Sequence, residues 1–179
     1  MTKPFEESNV VGVQGRYKTK QKQIISQFEQ IEIENSYRKM AIIGNIDSVG
    51  TYSAAYNKKI FSAFNGYNEK YKKASGEDFE LSYRISNSGY RLVFNKNAVC
   101  YHKHPEKLIE YLKIKLKRGI WRALIYKNVQ NKILSDSYTS NVLKLQFVSV
   151  LLLILSLPIL FLRYISIDTT RLLSQAFFA

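Results

Sequence analysis

Between Ser75 and His104, the side chains of Glu77, Asp78, His102 and His104 carry groups suited to proton transfer and metal binding. A carboxylate within hydrogen-bond reach of an attacking hydroxyl takes its proton as a general base. A neutral imidazole ligates Mn²⁺ beside carboxylates, and such an ion neutralises a diphosphate. Each residue also has an ordinary role. Acids in a first helical turn stabilise the positive helix end, and a histidine at a strand end often faces water. H-x-H with no third ligand nearby is not a zinc signature, so any metal needs carboxylates from elsewhere. The sequence contains no D-x-D and no G-x-x-x-x-G-K-[ST].

The elements that must position these groups follow from spacing. "VVGVQGRY" (Val10–Tyr17) reads as a strand, and Ile24, Phe28 and Ile31 recur at helical intervals from Thr19 to about Arg38. "AIIGNIDSVGTYSAAY" is expected to be a loop leading into a short strand. Asn57 is a candidate N-cap for a short helix over "KKIFSAF", and "NGY" turns the chain. A helix is expected to begin at Glu77, bury Phe79, Leu81 and Ile85, and end at Gly89. "YRLVF" and "AVCYH" are then predicted as two strands with "NKN" as the turn between them. In the second, Cys100 and His102 share one side.

From Pro105 the pattern is helical, with Leu108, Ile109, Leu112, Leu116, Ile120 and Leu124 as an apolar stripe and lysines and arginines opposite. A basic amphipathic helix carrying Trp121 reads as lying in a membrane interface; an ordinary surface helix is the alternative. The following run, "LKLQFVSVLLLILSLPILFLRYISI", approaches the ~20 apolar residues that a ~30 Å hydrocarbon core requires. Basic residues crowd its N-terminal flank, which predicts a cell-membrane protein whose N-terminal domain is cytoplasmic.

The 179 residues suffice for one modest core, and the net charge of +13 calls for an anionic partner. The cationic residues cluster beside the apolar run rather than across an aromatic platform, which argues against nucleic acid. One cysteine, Cys100, excludes an internal disulfide. "MTKPFEESNV" lacks the apolar core of a signal peptide.

Taken in order, "VVGVQGRYKT", "VGTYSAAYNKKIFSAFNGYNEKY" and "SGEDFELSYRISNSGYRLVFNKNAVCYHKHP" resemble the C-terminal, acceptor-side half of a membrane-associated family-2 glycosyltransferase of the GT-A fold. The resemblance covers about Glu6 to Asn128. It implies an α/β architecture: an incomplete GT-A-like mixed sheet with flanking helices over 1–104. An interfacial helix and linker over 105–140, a transmembrane helix over 141–167 and a tail over 168–179 would follow. It implies Asp78 as the base that deprotonates the acceptor hydroxyl, Glu77 as its companion, and His102 as a ligand of Mn²⁺ or Mg²⁺. Gly50 and Thr51 resemble acceptor-side positions, and Arg118 and Trp121 stand where the interfacial helix of the family meets acceptor. "KLKRGIW" lacks the glutamine of the processive Q-x-x-R-W motif. The implied partners are a nucleotide-sugar donor, a glycan or lipid-linked acceptor, and membrane lipid. The half of the family's fold that binds nucleotide and carries the D-x-D is not in this sequence. The chain is therefore expected to be a fragment, inactive alone, with the cation expected only alongside that half.

Overall fold

The computed structural model describes residues 1–71, 76–128, 136–139, 145–146, 148–159 and 161–163. The chain divides into two compact units, Met1–Tyr138 and Thr139–Ala179. In the first, a four-stranded mixed sheet runs in the order β2-β4-β1-β3. β1 (Val10–Lys18) is almost entirely buried, as a strand covered on both faces must be. It pairs in parallel with β4 (Arg91–Tyr101) and antiparallel with β3 (Ala54–Tyr56); β2 (Asn45–Ile46) lies antiparallel to β4. The expected α/β class with flanking helices is what the chain adopts.

The predicted pair of strands at "YRLVFNKNAVCYH" is one strand. β4 runs through Asn95–Asn97, and its register with β1 jumps from Gln14↔Phe94 to Arg16↔Val99. The extra residues form a bulge, and the Asn95 side chain accepts a bond from the Asn97 N–H at 3.0 Å. A local turn signal was thus overridden by continued pairing on β1. Gly15 sits opposite the bulge, where a Cβ would crowd the Ala98 carbonyl and the Ser53 hydroxyl.

α1 (Ile24–Ile43) starts and ends some five residues later than its periodicity predicts, and the segment after it makes β2 and β3 rather than a plain loop. α2 (Lys58–Ala63) is capped by Asn57, whose side chain accepts from the N–H groups of Lys59 and Ile60. α3 (Glu77–Asn87) begins after Gly76, whose φ of +122° suits glycine, and Gly89 follows its end at φ +85°. Leu81 and Ile85 of α3, Ile33, Tyr37 and Met40 of α1, and Val11, Val49 and Leu92 form the core.

Two helices turn their apolar stripes outward, as the interfacial reading of the one after Pro105 expects and against the amphipathic reading of the one over Ile24, Phe28 and Ile31. α4 (Leu108–Asn128) exposes the Leu108, Ile109, Leu112, Leu116, Ile120 and Leu124 stripe. Its inward side bears Tyr111, Lys115, Arg118 and Ile125. α1 likewise exposes Ile24, Phe28 and Ile31 and buries Ser26, Glu29 and Gln30. Charge pairing accompanies this: Glu29 and Glu32 on α1 meet Arg118 and Lys115 on α4, and Glu29 is buried in the contact.

In the second unit, 145–146, 148–159 and 161–163 are helical, and apolar side chains along them are exposed. Ser149 and Ser156 return their hydroxyl protons to the Leu145 and Leu153 carbonyls at 2.9 and 2.7 Å, which removes most of their polarity. Among the described residues no helix is long and apolar enough to cross a membrane. Part of the span expected over 141–167, and all of the tail over 168–179, lie outside the described residues.

Candidate functional site

Asp78 occupies the first turn of α3 and is half-buried. Its Oδ2 accepts the Thr51 N–H at 3.1 Å, and its Oδ1 accepts the Phe79 N–H at 2.9 Å. Burial pushes its pKa above the ordinary 3.8, the two N–H groups pull it back in part, and the neighbouring Glu77 charge raises it again. No cation pairs with Asp78 among the described residues. Glu77 turns toward the preceding backbone, where its Oε2 accepts the Gly76 N–H at 3.0 Å. Gly50 is buried beside Thr51 and donates its N–H to the Gln14 side chain. Ser82 fastens the loop from below, accepting the Val49 N–H at 2.9 Å. The structure therefore joins Glu77, Asp78, Gly50 and Thr51 as one group.

His102 belongs to a second group. It lies just past β4, exposed, and its N–H continues the ladder to the Lys18 carbonyl at 2.9 Å. Its ring lies 5.3 Å from that of His104 and 5.0 Å from that of Tyr17. With Glu29, His104 and Arg118 it lines a cavity of about 660 Å³. Asp78 does not line that cavity. Tyr17 and Tyr52, whose rings meet edge-on at 4.3 Å, stand between the histidines and the loop that holds Asp78.

Glu29, which no sequence motif marks, and His104 form the buried centre of this group. Their side chains are 2% and 1% exposed. Glu29 Oε1 accepts from Arg118 at 3.0 Å. Gln30 Nε2 donates to the Tyr17 carbonyl and to Glu34, which leaves Gln30 Oε1 to face His104 Nε2 at 3.0 Å. Nε2 therefore carries the proton, and Nδ1 presents a lone pair to Glu29 Oε2 at 3.5 Å. Burial, aided by His102, Arg118 and Lys115, lowers the His104 pKa against the pull of Glu29, so the ring is neutral near neutral pH. Glu29 Oε2 accordingly lacks a hydrogen bond. The spacing Ser26, Gln30, Ile33, Tyr37, Met40 was the signal for this inward face, masked by the more apolar stripe beside it.

Arg118 thus serves Glu29, while Trp121 packs on Tyr71 with ring centroids 5.8 Å apart. One turn beyond Arg118, the Arg122 guanidinium lies 4.6 Å over the Phe79 ring. The inward face of α4 therefore reaches from the histidine group to the residue next to Asp78, a rise of ~6 Å for four residues.

For a divalent cation, the chemistry of the donor set is decisive. His104 has Nε2 committed to Gln30, Glu29 is held by a guanidinium, and Lys103, Lys107 and Lys113 also line the cavity. Among the described residues no three His, Cys, Asp or Glu converge on one point. Taken by themselves, these residues do not fit a divalent cation. No protein-family model matches the chain, and no curated protein matches it.

Proposed function

We propose that this chain forms the acceptor-side half of a membrane-associated inverting glycosyltransferase, which moves a sugar from a nucleotide-sugar to a lipid-linked or polysaccharide acceptor. The observation that carries the proposal is Asp78: a carboxylate at a helix start, oriented by two backbone N–H groups, desolvated, and without a pairing cation among the described residues. That is the environment of a base rather than of a salt-bridge anion.

In this reading the acceptor hydroxyl loses its proton to an Asp78 oxygen as its own oxygen attacks the anomeric carbon. The bond to the nucleoside diphosphate breaks with its electron pair leaving on the diphosphate, and the anomeric centre inverts. Thr51 keeps the carboxylate turned toward the acceptor, and Glu77 holds the backbone ahead of it. The diphosphate and any cation that accompanies it need a donor site with carboxylates that these residues do not furnish.

The test is transfer of labelled sugar into membrane lipid or polysaccharide by the enzyme as the cell makes it. Asp78→Asn is expected to abolish transfer while leaving the protein's abundance and circular dichroism unchanged. Wild-type transfer by that variant overturns the proposal. The 179 residues alone, supplied with a panel of nucleotide-sugars and Mn²⁺, are expected to show no turnover.

A second reading, a non-catalytic membrane-bound protein that holds acidic lipid, is favoured by α4. Its apolar stripe faces outward between lysines, as a helix in the plane of a bilayer surface requires. The membrane contact is common to both readings; only the role of Asp78 separates them.

A further inference from the structure

We propose that α1 shares the lipid contact of α4. The first turns of the two helices would form one surface in which Ile24 and Phe28 enter the bilayer interface beside Leu108 and Ile109. The lysines ahead of each helix would meet anionic headgroups. This rests on the membrane reading of α4 given above and extends it to an element that carries no such signal of its own.

The two helix starts are tied together. Gln21 donates to the His104 carbonyl at 3.0 Å and to Glu106 at 2.9 Å, and Ser26 donates to the Pro105 carbonyl at 2.9 Å. The Phe28 ring meets Tyr111 of α4 edge-on at 5.8 Å. Between the helices the contacts are polar: Tyr111 and Lys115 on Glu32, Arg118 on Glu29. The side chains that pair between the helices are polar or charged, and the apolar residues Ile24, Phe28, Leu108 and Ile109 lie outside. Ile24 is 84% exposed.

Charge selects the occupant. Lys18, Lys20 and Lys22 precede α1, Lys103 and Lys107 precede α4, and all five are exposed. Glu106 and Glu110 are the acids beside them, and Lys103 reaches Glu106 only at 4.0 Å. An apolar patch headed by a cationic rim matches the boundary between acyl chains and anionic headgroups. A protein partner covering α1 is the competing occupant.

The experiment uses the full chain with Cys100→Ser and a single cysteine introduced as Ile24→Cys, Ile109→Cys or Lys96→Cys. Each carries an environment-sensitive fluorophore and is mixed with vesicles of phosphatidylcholine and phosphatidylglycerol bearing brominated acyl chains. All three positions are exposed, so the substitutions leave the core untouched. Emission at 24 and 109 is expected to fall at least twofold, that at 96 to stay unchanged, and the loss at 24 to shrink with phosphatidylcholine alone. Quenching at 109 without 24 overturns the proposal and leaves α4 at the membrane, with something else covering α1. Quenching at neither position overturns both, and equal quenching at all three denies an oriented surface. Quenching at 24 that is indifferent to anionic lipid removes the role of the lysines.

Discussion

Asp78 and Glu29 are both carboxylates withdrawn from water on helices that pack against one sheet, and the fold treats them in opposite ways. Glu29 is given a guanidinium, so its charge is matched and it becomes a clamp between α1 and α4. Asp78 is given two backbone N–H groups and, among the described residues, no guanidinium or ammonium, so its charge is oriented without being neutralised there. Burial with a guanidinium partner makes a structural ion pair; burial with dipoles alone leaves a group that gains by taking up a proton. The difference in partners tells which carboxylate to suspect of chemistry.

The comparison breaks most decisively at Asp78→Asn, for which transfer in the intact enzyme should fall by ~10²–10⁴-fold, the usual loss with a general base. Glu29→Gln should lower activity only as far as it lowers the amount of folded protein, read by comparing rate per folded molecule. If Glu29→Gln is the more damaging per folded molecule, the assignment of roles is reversed.

Arg118→Ala should come next. It leaves the Glu29 carboxylate buried beside a neutral imidazole, and loss of one partner of a buried pair costs about 3–5 kcal/mol. Because Arg118 is itself half-exposed, about 2 kcal/mol is expected, seen as a lower urea midpoint by circular dichroism. Asp78→Asn should show no loss of that kind.

Acidity sharpens the same contrast. Between the ordinary 3.8 and the raised folded value of Asp78, the native state binds more protons than the unfolded one. The Asp78 contribution to stability therefore falls as pH rises through that window, while transfer rises as the base ionises. Carboxyl NMR titration should place Asp78 above an ordinary aspartate; a value at or below 3.8 removes the desolvated-base assignment.

The smallest expected effect is at Thr51→Pro. The preceding Gly50 has φ −82° and ψ 136°, which a following proline accepts, and the change deletes the N–H that holds Asp78 Oδ2. The Asp78 titration should move further upward, by a fraction of a pH unit, and transfer below neutral pH should drop by about two- to tenfold. An unchanged titration would show that the Thr51 N–H does not tune the carboxylate.

Much of the scaffold around Asp78 was legible because its signals are local. Asn57 as a cap, Gly89 after α3, and Leu81 and Ile85 as buried positions depend on backbone geometry and on spacing within a turn or two. The turn assigned to "NKN" failed because pairing with β1 continues on both sides of it, and that partner lies some eighty residues away in the chain. The inward face of α1 failed for a related reason. Ser26, Glu29 and Gln30 look like a solvated face until His104, Pro105 and Arg118 supply their partners.

By itself the sequence determined the element types, the caps, and the nearness of Glu77 to Asp78, because these depend on torsional preference and on neighbours a few bonds away. Tertiary structure decided which way α1 and α4 face and which carboxylate is neutralised. The burial of Glu29 is matched by the charge of Arg118, and that partner comes from a distant part of the chain. The outward apolar stripes go with that pairing: the side chains that meet between the helices are polar or charged, and the leucines and isoleucines lie on the outside.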